Sequence, residues 1–259
     1  DGTLTNSKKG ITEHTRTTLI EAQKRGLKIV LASGRPTYGV VPLANQLELD
    51  KYEGYILSYN GGEIIDWKTG EMMYKNLLDP EVLPYLYQCA KDNNFAIVSY
   101  ENEYVLTEHP DDEYVLKEAL LNVMKIKKVD NFLKALNHPN AKCRICGEPT
   151  RLAVLEKEMY DHLKDRMGVF RSEPYFLELV PKGIDKARSL SVLLKEINMK
   201  KEEMIAVGDG FNDLSMIQYA GLGVAMANAQ PVVRENADYI TLSNDEDGVA
   251  TVVEKFILA

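Results

Sequence analysis

Apolar positions along the chain switch between two periods. Between Thr12 and Gly26 they recur at helical spacing, with Thr12 placed to cap the start and Gly26 to end the helix. Leu27-Lys28-Ile29-Val30-Leu31-Ala32 follows, short and β-branched enough for a buried strand. The run stops at Ser33-Gly34-Arg35-Pro36, and a second helix is predicted toward Gln46. Gly54-Tyr55-Ile56-Leu57-Ser58 has the pattern of another strand. Strands alternating with helices through short loops predict a parallel sheet with right-handed crossovers.

The middle of the chain has a different texture. Pro80 opens a helix whose Leu83, Leu86, Tyr87 and Ala90 share one face. Short strands are predicted at Phe95 to Tyr100 and Glu103 to Thr107, then helices near Asp111 to Val123 and Val129 to Leu136. A strand at Ala141 to Cys146, a helix from Thr150 to about Asp165 and a strand pair at Val169 to Ser172 and Tyr175 to Val180 complete the segment. After Pro181 the first rhythm returns: Ala187, Leu190, Leu194 and Ile197 mark a helix stripe, and Met204 to Val207 is a strand. Gly223 to Ala225 and Tyr239-Ile240 are short strands, and Val249, Val252, Val253 and Phe256 face one side of a final helix. The expected fold is a doubly wound α/β core, residues 1–78 and 182–259, interrupted by an α+β unit with an antiparallel sheet, residues 79–181.

Composition narrows the classes of function. The 259 residues are 45% hydrophobic and 27% charged, which suits one large globular domain or two modest ones. Thirty-one Lys and Arg against 39 Asp and Glu leave a net charge of -8, so broad binding to nucleic acid or to anionic lipid is not expected. A few local cations can still serve one small anionic substrate. Three cysteines, Cys89, Cys143 and Cys146, make no disulfide framework, and a reducing, cytoplasmic setting is the default expectation. Cys143 and Cys146 lie three apart on a predicted strand, on opposite faces, so they are not expected to share a metal. The cations Arg144 and Arg171 are expected to be solvated, and Tyr100, Tyr104 and Tyr114 to be half-buried packing.

Four clusters can carry chemistry, each where a core strand would end, the edge at which open α/β sheets bind ligands. Asp1-Gly2-Thr3-Leu4-Thr5 on its own is a turn. Ser33-Gly34-Arg35, between a strand and a helix, offers a hydroxyl and free N–H groups to a phosphate. Lys186 starts a helix, where a lysine is ordinarily solvated unless it faces the other clusters. Gly208-Asp209-Gly210-Phe211-Asn212-Asp213 crowds two carboxylates and an amide at a strand end, a donor set suited to a hard cation such as Mg2+. Together the four would stabilise charge on a transferring phosphoryl group.

In this order the clusters resemble those of the haloacid dehalogenase superfamily of phosphatases. The long interval between the second and third resembles its Cof-type branch (subclass IIB), with a large cap inserted in a Rossmann-like core. Ser58-Tyr59-Asn60-Gly61-Gly62, Gly223 to Ala229, Asn236 to Tyr239 and Asn244 to Gly248 are further matches. The resemblance implies a Mg2+-dependent phosphatase acting on a small phosphorylated metabolite, a sugar phosphate foremost, through an aspartyl phosphate. Asp1 then matches the acid/base that protonates the leaving oxygen and activates water, and its main-chain carbonyl matches a metal ligand. Ser33, with Gly34, matches the phosphate-holding loop, and Lys186 the lysine that neutralises phosphoryl oxygens. Asp209 matches the direct metal ligand, Asp213 completes the metal site directly or through water, and Asn60 and Asn212 shape the phosphate pocket.

The family's attacking aspartate would lie two positions before Asp1. Two accounts of that position stand: a longer natural chain, or a relative without the nucleophile that binds ligand and does not turn it over. A sheet without its central strand would leave two neighbours unpaired, which favours the longer chain. A phosphomutase is the other reading within the same chemistry, separable because a mutase releases no inorganic phosphate. The longer chain is expected to carry an apolar strand ending in Asp-x immediately before Asp1, and the intact mass of the natural protein with its amino-terminal sequence checks this. A different residue two positions before Asp1 would overturn the enzyme reading.

Overall fold

Thr12 starts the first helix: its hydroxyl accepts the Thr15 N–H at 3.1 Å, leaving α1 to run over Glu13–Lys24. The computed structural model describes residues 1–136 and 138–259. After α1 come β1 (Val30–Ala32), α2 (Thr37–Gln46), β2 (Tyr55–Ser58), β3 (Glu63–Asp66) and β4 (Met72–Lys75). The next stretch holds α3 (Leu83–Asp92), β5 (Ala96–Glu101), β6 (Tyr104–Thr107), α4 (Glu113–Asn122), β7 (Lys125–Lys128), α5 (Phe132–Ala135), β8 (Cys143–Cys146), α6 (Pro149–Leu163), β9 (Met167–Glu173) and β10 (Phe176–Pro181). The last holds α7 (Lys186–Glu196), β11 (Ile205–Gly208), α8 (Leu214–Tyr219), β12 (Leu222–Ala225), α9 (Pro231–Glu235), β13 (Tyr239–Ile240) and α10 (Gly248–Val253).

Two units divide the chain. One comprises Asp1–Gly34, Val41–Tyr74 and Asp185–Ala259; the other comprises Arg35–Val40 with Lys75–Ile184. In the first, β1 pairs parallel with β2, and β11, β12 and β13 form a second parallel set. A buried cluster joins them: Tyr55 and Leu57 from β2, Leu190 and Leu193 from α7, Ala206 from β11 and Met216 and Ile217 from α8. This is the α/β, Rossmann-like core.

Three local differences from the expected elements have plain causes. The first strand begins at Val30 rather than Leu27, because the Leu27 N–H is taken by the Ala22 carbonyl at 3.1 Å. The antiparallel strands β3 and β4 extend β2's sheet, where no strand was expected. β7, Lys-Ile-Lys-Lys, also went unpredicted; it is an edge strand parallel to β6, a place where lysines guard against further pairing.

The second unit is a six-stranded sheet in the order β7-β6-β5-β8-β10-β9. Its two faces are buried in opposite ways. Cys143 and Ile145 of β8 join the apolar cluster under α3 and α6, with Leu86, Leu152, Met159 and Leu177. The intervening Arg144, expected to be solvated, is 8% exposed. It pairs with Glu118 of α4 and, at 2.5 Å, with Glu178 of β10, which also holds Lys142 at 2.5 Å. Tyr100 donates its hydroxyl to Glu118 at 2.6 Å and is fully enclosed rather than half-buried. Arg171 is held by Glu156 at 2.7 Å. Burial opposes the Glu178 charge and its partners outweigh it: Arg144 and Lys142 hold the carboxyl down to about 2. For Lys142 burial wins, and with the neighbouring Arg144 charge it lowers the ammonium pKa.

Arg144→Ala would leave Glu118 and Glu178 short of a partner inside the protein, and urea unfolding is expected to show a loss of about 3–5 kcal/mol. Because the Glu178 pKa lies below its ordinary value, its contribution is present above pH ~4.5 and is lost progressively as pH falls toward ~2. Acid titration of stability is expected to show that loss in the wild type and not in Glu178→Gln.

Candidate active site

The site assembles within the first unit, from five loops. Asp185 caps α7, its carboxylate accepting the Arg188 N–H at 2.9 Å, and this fixes Lys186 as the first helical residue. Lys186 is 3% exposed, so the ordinary reading of a solvated lysine does not hold. Its ammonium donates to Asp213 at 2.6 Å and to the Ala32 carbonyl at the end of β1 at 3.1 Å. The other Asp213 oxygen accepts the Asp209 and Gly210 N–H groups, each at 3.0 Å. Both oxygens of Asp213 are thereby occupied, and the loop after β11 is folded around them.

Asp209 turns toward the amino-terminal segment. It accepts the Thr3 hydroxyl at 2.5 Å, and Gly2 lies against its carboxylate so closely that a β-carbon there would collide with it. Gly2 also has φ 76°, a conformation open to glycine at little cost. Burial raises the Asp209 pKa above the ordinary carboxylate value; the Thr3 hydroxyl opposes this, and the nearby Asp213 charge adds to it. Asn228 donates to the Gly2 carbonyl at 2.8 Å and accepts the Asn244 N–H at 3.0 Å, which steadies the same segment. Thr3 and Asn228 had no role in the sequence reading. Both lie inside its matching motifs, and pairing across more than 200 residues leaves no local pattern to find.

On the other side of Lys186, Ser33 is fastened to β2: its N–H donates to Leu57 at 2.8 Å and its carbonyl accepts the Asn60 N–H at 2.9 Å. Gly34 packs on the Asn60 amide, and Asn212 donates to Asn60 Oδ1 at 2.9 Å. Tyr59, Asn60 and Gly61 are consecutive left-handed residues, with φ of 54°, 57° and 102°. For the tyrosine and asparagine this is strained backbone, of order 1–3 kcal/mol each, of the sort concentrated at functional sites. Ser33, Gly34, Asn60, Lys186, Asp209, Asn212 and Asp213 therefore belong to one connected set of contacts.

The Asp1 carboxylate pairs with Lys9 at 3.3 Å. Among the described residues no group of three His, Cys, Asp or Glu side chains is arranged to hold a metal ion. The carboxylates of Asp1, Asp209 and Asp213 thus do not form a three-carboxylate centre. What remains fits a hard cation: the Asp209 carboxylate, the neighbouring Asp213, and main-chain oxygen from the Asp1-Gly2 segment, all oxygen donors. Burial foremost, with the Asp213 charge adding to it, raises the Asp209 pKa, and a divalent ion beside the two carboxylates would oppose both.

The model of the haloacid dehalogenase-like hydrolase family matches residues 1–253. The chain belongs to that family. A haloacid dehalogenase-like hydrolase from Bacteroides thetaiotaomicron has 58% identical sequence and a TM-score of 0.96, over 98% of this chain and 96% of that one. The Bacillus subtilis protein named 5-amino-6-(5-phospho-D-ribitylamino)uracil phosphatase YcsE is 29% identical, over 100% of this chain and 93% of its own length. The haloacid dehalogenase subclass IIB sugar phosphatase BT4131 is 26% identical with a TM-score of 0.83, over 99% and 96%. This haloacid dehalogenase-like hydrolase is thus an enzyme of the phosphatase class, Cof-type. Among its described residues no helix is long and apolar enough to cross a membrane.

Gly2→Ala is expected to push the Asp209 carboxylate away from its position and lower kcat/KM about a hundredfold, the scale of a displacement near 1 Å in a reacting site. Steady-state kinetics with circular dichroism checks both the loss and the retained fold.

Proposed function

We propose that this enzyme is a Mg2+-dependent phosphatase that hydrolyses small phosphorylated metabolites, sugar phosphates foremost, through an aspartyl phosphate. The observation that carries the reading is the buried Lys186 ammonium, held between Asp213 and the strand end that leads into Ser33. A buried cation held on the Asp213 carboxylate, beside the Ser33 hydroxyl and the start of a helix, is suited to a phosphoryl group's spread negative charge.

The residues divide the work. The Ser33 hydroxyl and the Gly34 N–H hold phosphoryl oxygens, and the Asn60–Asn212 pair orients the same pocket. Lys186 neutralises the oxygens that gain charge as the bond to the leaving group breaks. Asp1 gives a proton to the leaving oxygen and later takes one from the attacking water. The attacking group is the carboxylate expected two positions before Asp1. Asp209, the Asp1 main-chain carbonyl and Asp213, directly or through water, would hold Mg2+, which would supply neutralising charge to the phosphoryl group. The two relatives named as phosphatases of a phosphoribityl compound and of sugars support a small phosphorylated substrate.

The full-length chain is expected to release inorganic phosphate from p-nitrophenyl phosphate and from a panel of sugar phosphates when Mg2+ is present, and to stop when it is chelated. Asp209→Asn and Lys186→Ala are each expected to lower kcat/KM by about a hundredfold or more with the fold retained. A folded full-length chain without turnover, or near-normal activity in either variant, would overturn the reading.

A further inference from the structure

The amino-terminal segment and the loop after β11 meet at Asp209, and both lie in the first unit. A third stretch of the same unit holds the segment in place. Asn228, after β12, donates to the Gly2 carbonyl at 2.8 Å, and its Oδ1 accepts the Asn244 N–H at 3.0 Å. Asn244 donates its own side-chain amide to the Thr5 carbonyl at 2.9 Å. One residue on, Asp245 accepts the Ser7 N–H at 2.8 Å and the Ser7 hydroxyl at 2.5 Å. Gly2, Thr5 and Ser7 are thus each bonded by a side chain more than 200 positions away.

The loop that supplies Asn244 and Asp245 is itself braced. Ser243 donates its N–H and its hydroxyl to Glu246, at 3.3 and 2.6 Å. A β-carbon at Gly248 would collide with the Leu242 carbonyl, so the two ends of the loop are in contact. Asp247, at φ 58°, accepts the Thr15 hydroxyl at 2.9 Å and the Thr12 hydroxyl, which ties the loop to the start of α1. Gly2 is therefore caught between two fixed groups: its α-carbon against the Asp209 carboxylate and its carbonyl on Asn228. The Asp1 carbonyl shares one rigid peptide plane with the Gly2 N–H, so holding Gly2 limits how that plane can turn.

We propose that Asn228 and Asn244 are positioning residues for the metal site, holding the Asp1 main-chain oxygen in a fixed place relative to Asp209. The inference rests on the Mg2+ reading of that site. A small hard cation demands near-ideal placement of its oxygen ligands, so a carbonyl free to swing would bind it weakly. The two amides act on main-chain carbonyls of the segment, as outer partners that orient a ligand. Asn228 bears on Gly2, next to that oxygen; Asn244 bears on Thr5 and, through its N–H, orients Asn228.

Asn228→Asp keeps the shape of the side chain and an acceptor for the Asn244 N–H, but puts an oxygen where the Gly2 carbonyl needs a donor. Its added negative charge would by itself tighten the binding of a cation, so a loss of affinity reports position and not charge. Asn244→Ala removes the donor to Thr5 and adds no charge. Mg2+ alone, titrated calorimetrically into the full-length enzyme, is expected to show a dissociation constant raised about tenfold in Asn228→Asp and by a smaller factor in Asn244→Ala. Circular dichroism is expected to show the fold retained in both. Ser7→Ala, farther along the segment, is expected to stay within about twofold of the parent. An unchanged or lowered constant in Asn228→Asp, an unchanged one in Asn244→Ala, or an equal loss in Ser7→Ala would overturn the proposal. A folded parent enzyme that binds no Mg2+ would instead sink the metal reading on which it rests.

Discussion

An ammonium group with almost no access to water sets the geometry of the catalytic unit. Lys186 could be buried only because Asp213 and the Ala32 carbonyl accept its hydrogen bonds, and each partner is fixed by something else. Ala32 ends β1 of one sheet; Asp213 folds back on the N–H groups that follow β11 of the other. A single side chain from α7 thereby ties the two strand ends that carry Ser33 and Asp209. The apolar cluster beneath does the same job with less direction: it binds β2, α7, β11 and α8 together but would tolerate small shifts, whereas hydrogen bonds of 2.6–3.1 Å do not.

The surrounding loops carry strain and close approach in support of that anchor. Three consecutive left-handed residues carry the chain round after β2, and their reward is the Asn60 amide placed between Gly34 and Asn212. Ser189 on α7 donates to the Gly61 carbonyl at 2.7 Å, so the strained turn is braced by the helix that supplies Lys186. On the far side, the contact of Gly2 with Asp209 and the bond from Asn228 to the Gly2 carbonyl hold the amino-terminal segment against the same loop. Strain, burial and charge all fall on one side of the sheet, as expected where strand ends meet helix starts.

The legible parts of the chain were those with a local signature. Thr12 before an apolar period, the apolar runs into Ser33 and Gly208, and the carboxylates around Gly210 all act within a few residues of themselves. The core's α/β character followed from that alternation. What escaped depends on partners far away in sequence. Arg144 looked like a cap cation in water because nothing near it in the chain shows that Glu118 and Glu178 lie on either side. β3 and β4 are short, and β7 is three-quarters lysine, so their strand character comes from the neighbours they pair with. Thr3 and Asn228 have the same explanation, since the groups they bond, Asp209 and Gly2, lie more than 200 residues away.

The charged face of the second unit also limits how the family could drift. Arg144 of β8 and Lys142 just before it, Glu118 of α4 and Glu178 of β10 neutralise one another out of reach of water. Replacing one of them strands an opposite charge, while replacing the set with apolar residues of similar volume can be nearly neutral. The positions are therefore expected to be inherited as a block, retained together or exchanged together, with few sequences caught in between. Divergence among Cof-type relatives should then show a jump at this layer, where the apolar face of the same sheet changes one methylene at a time.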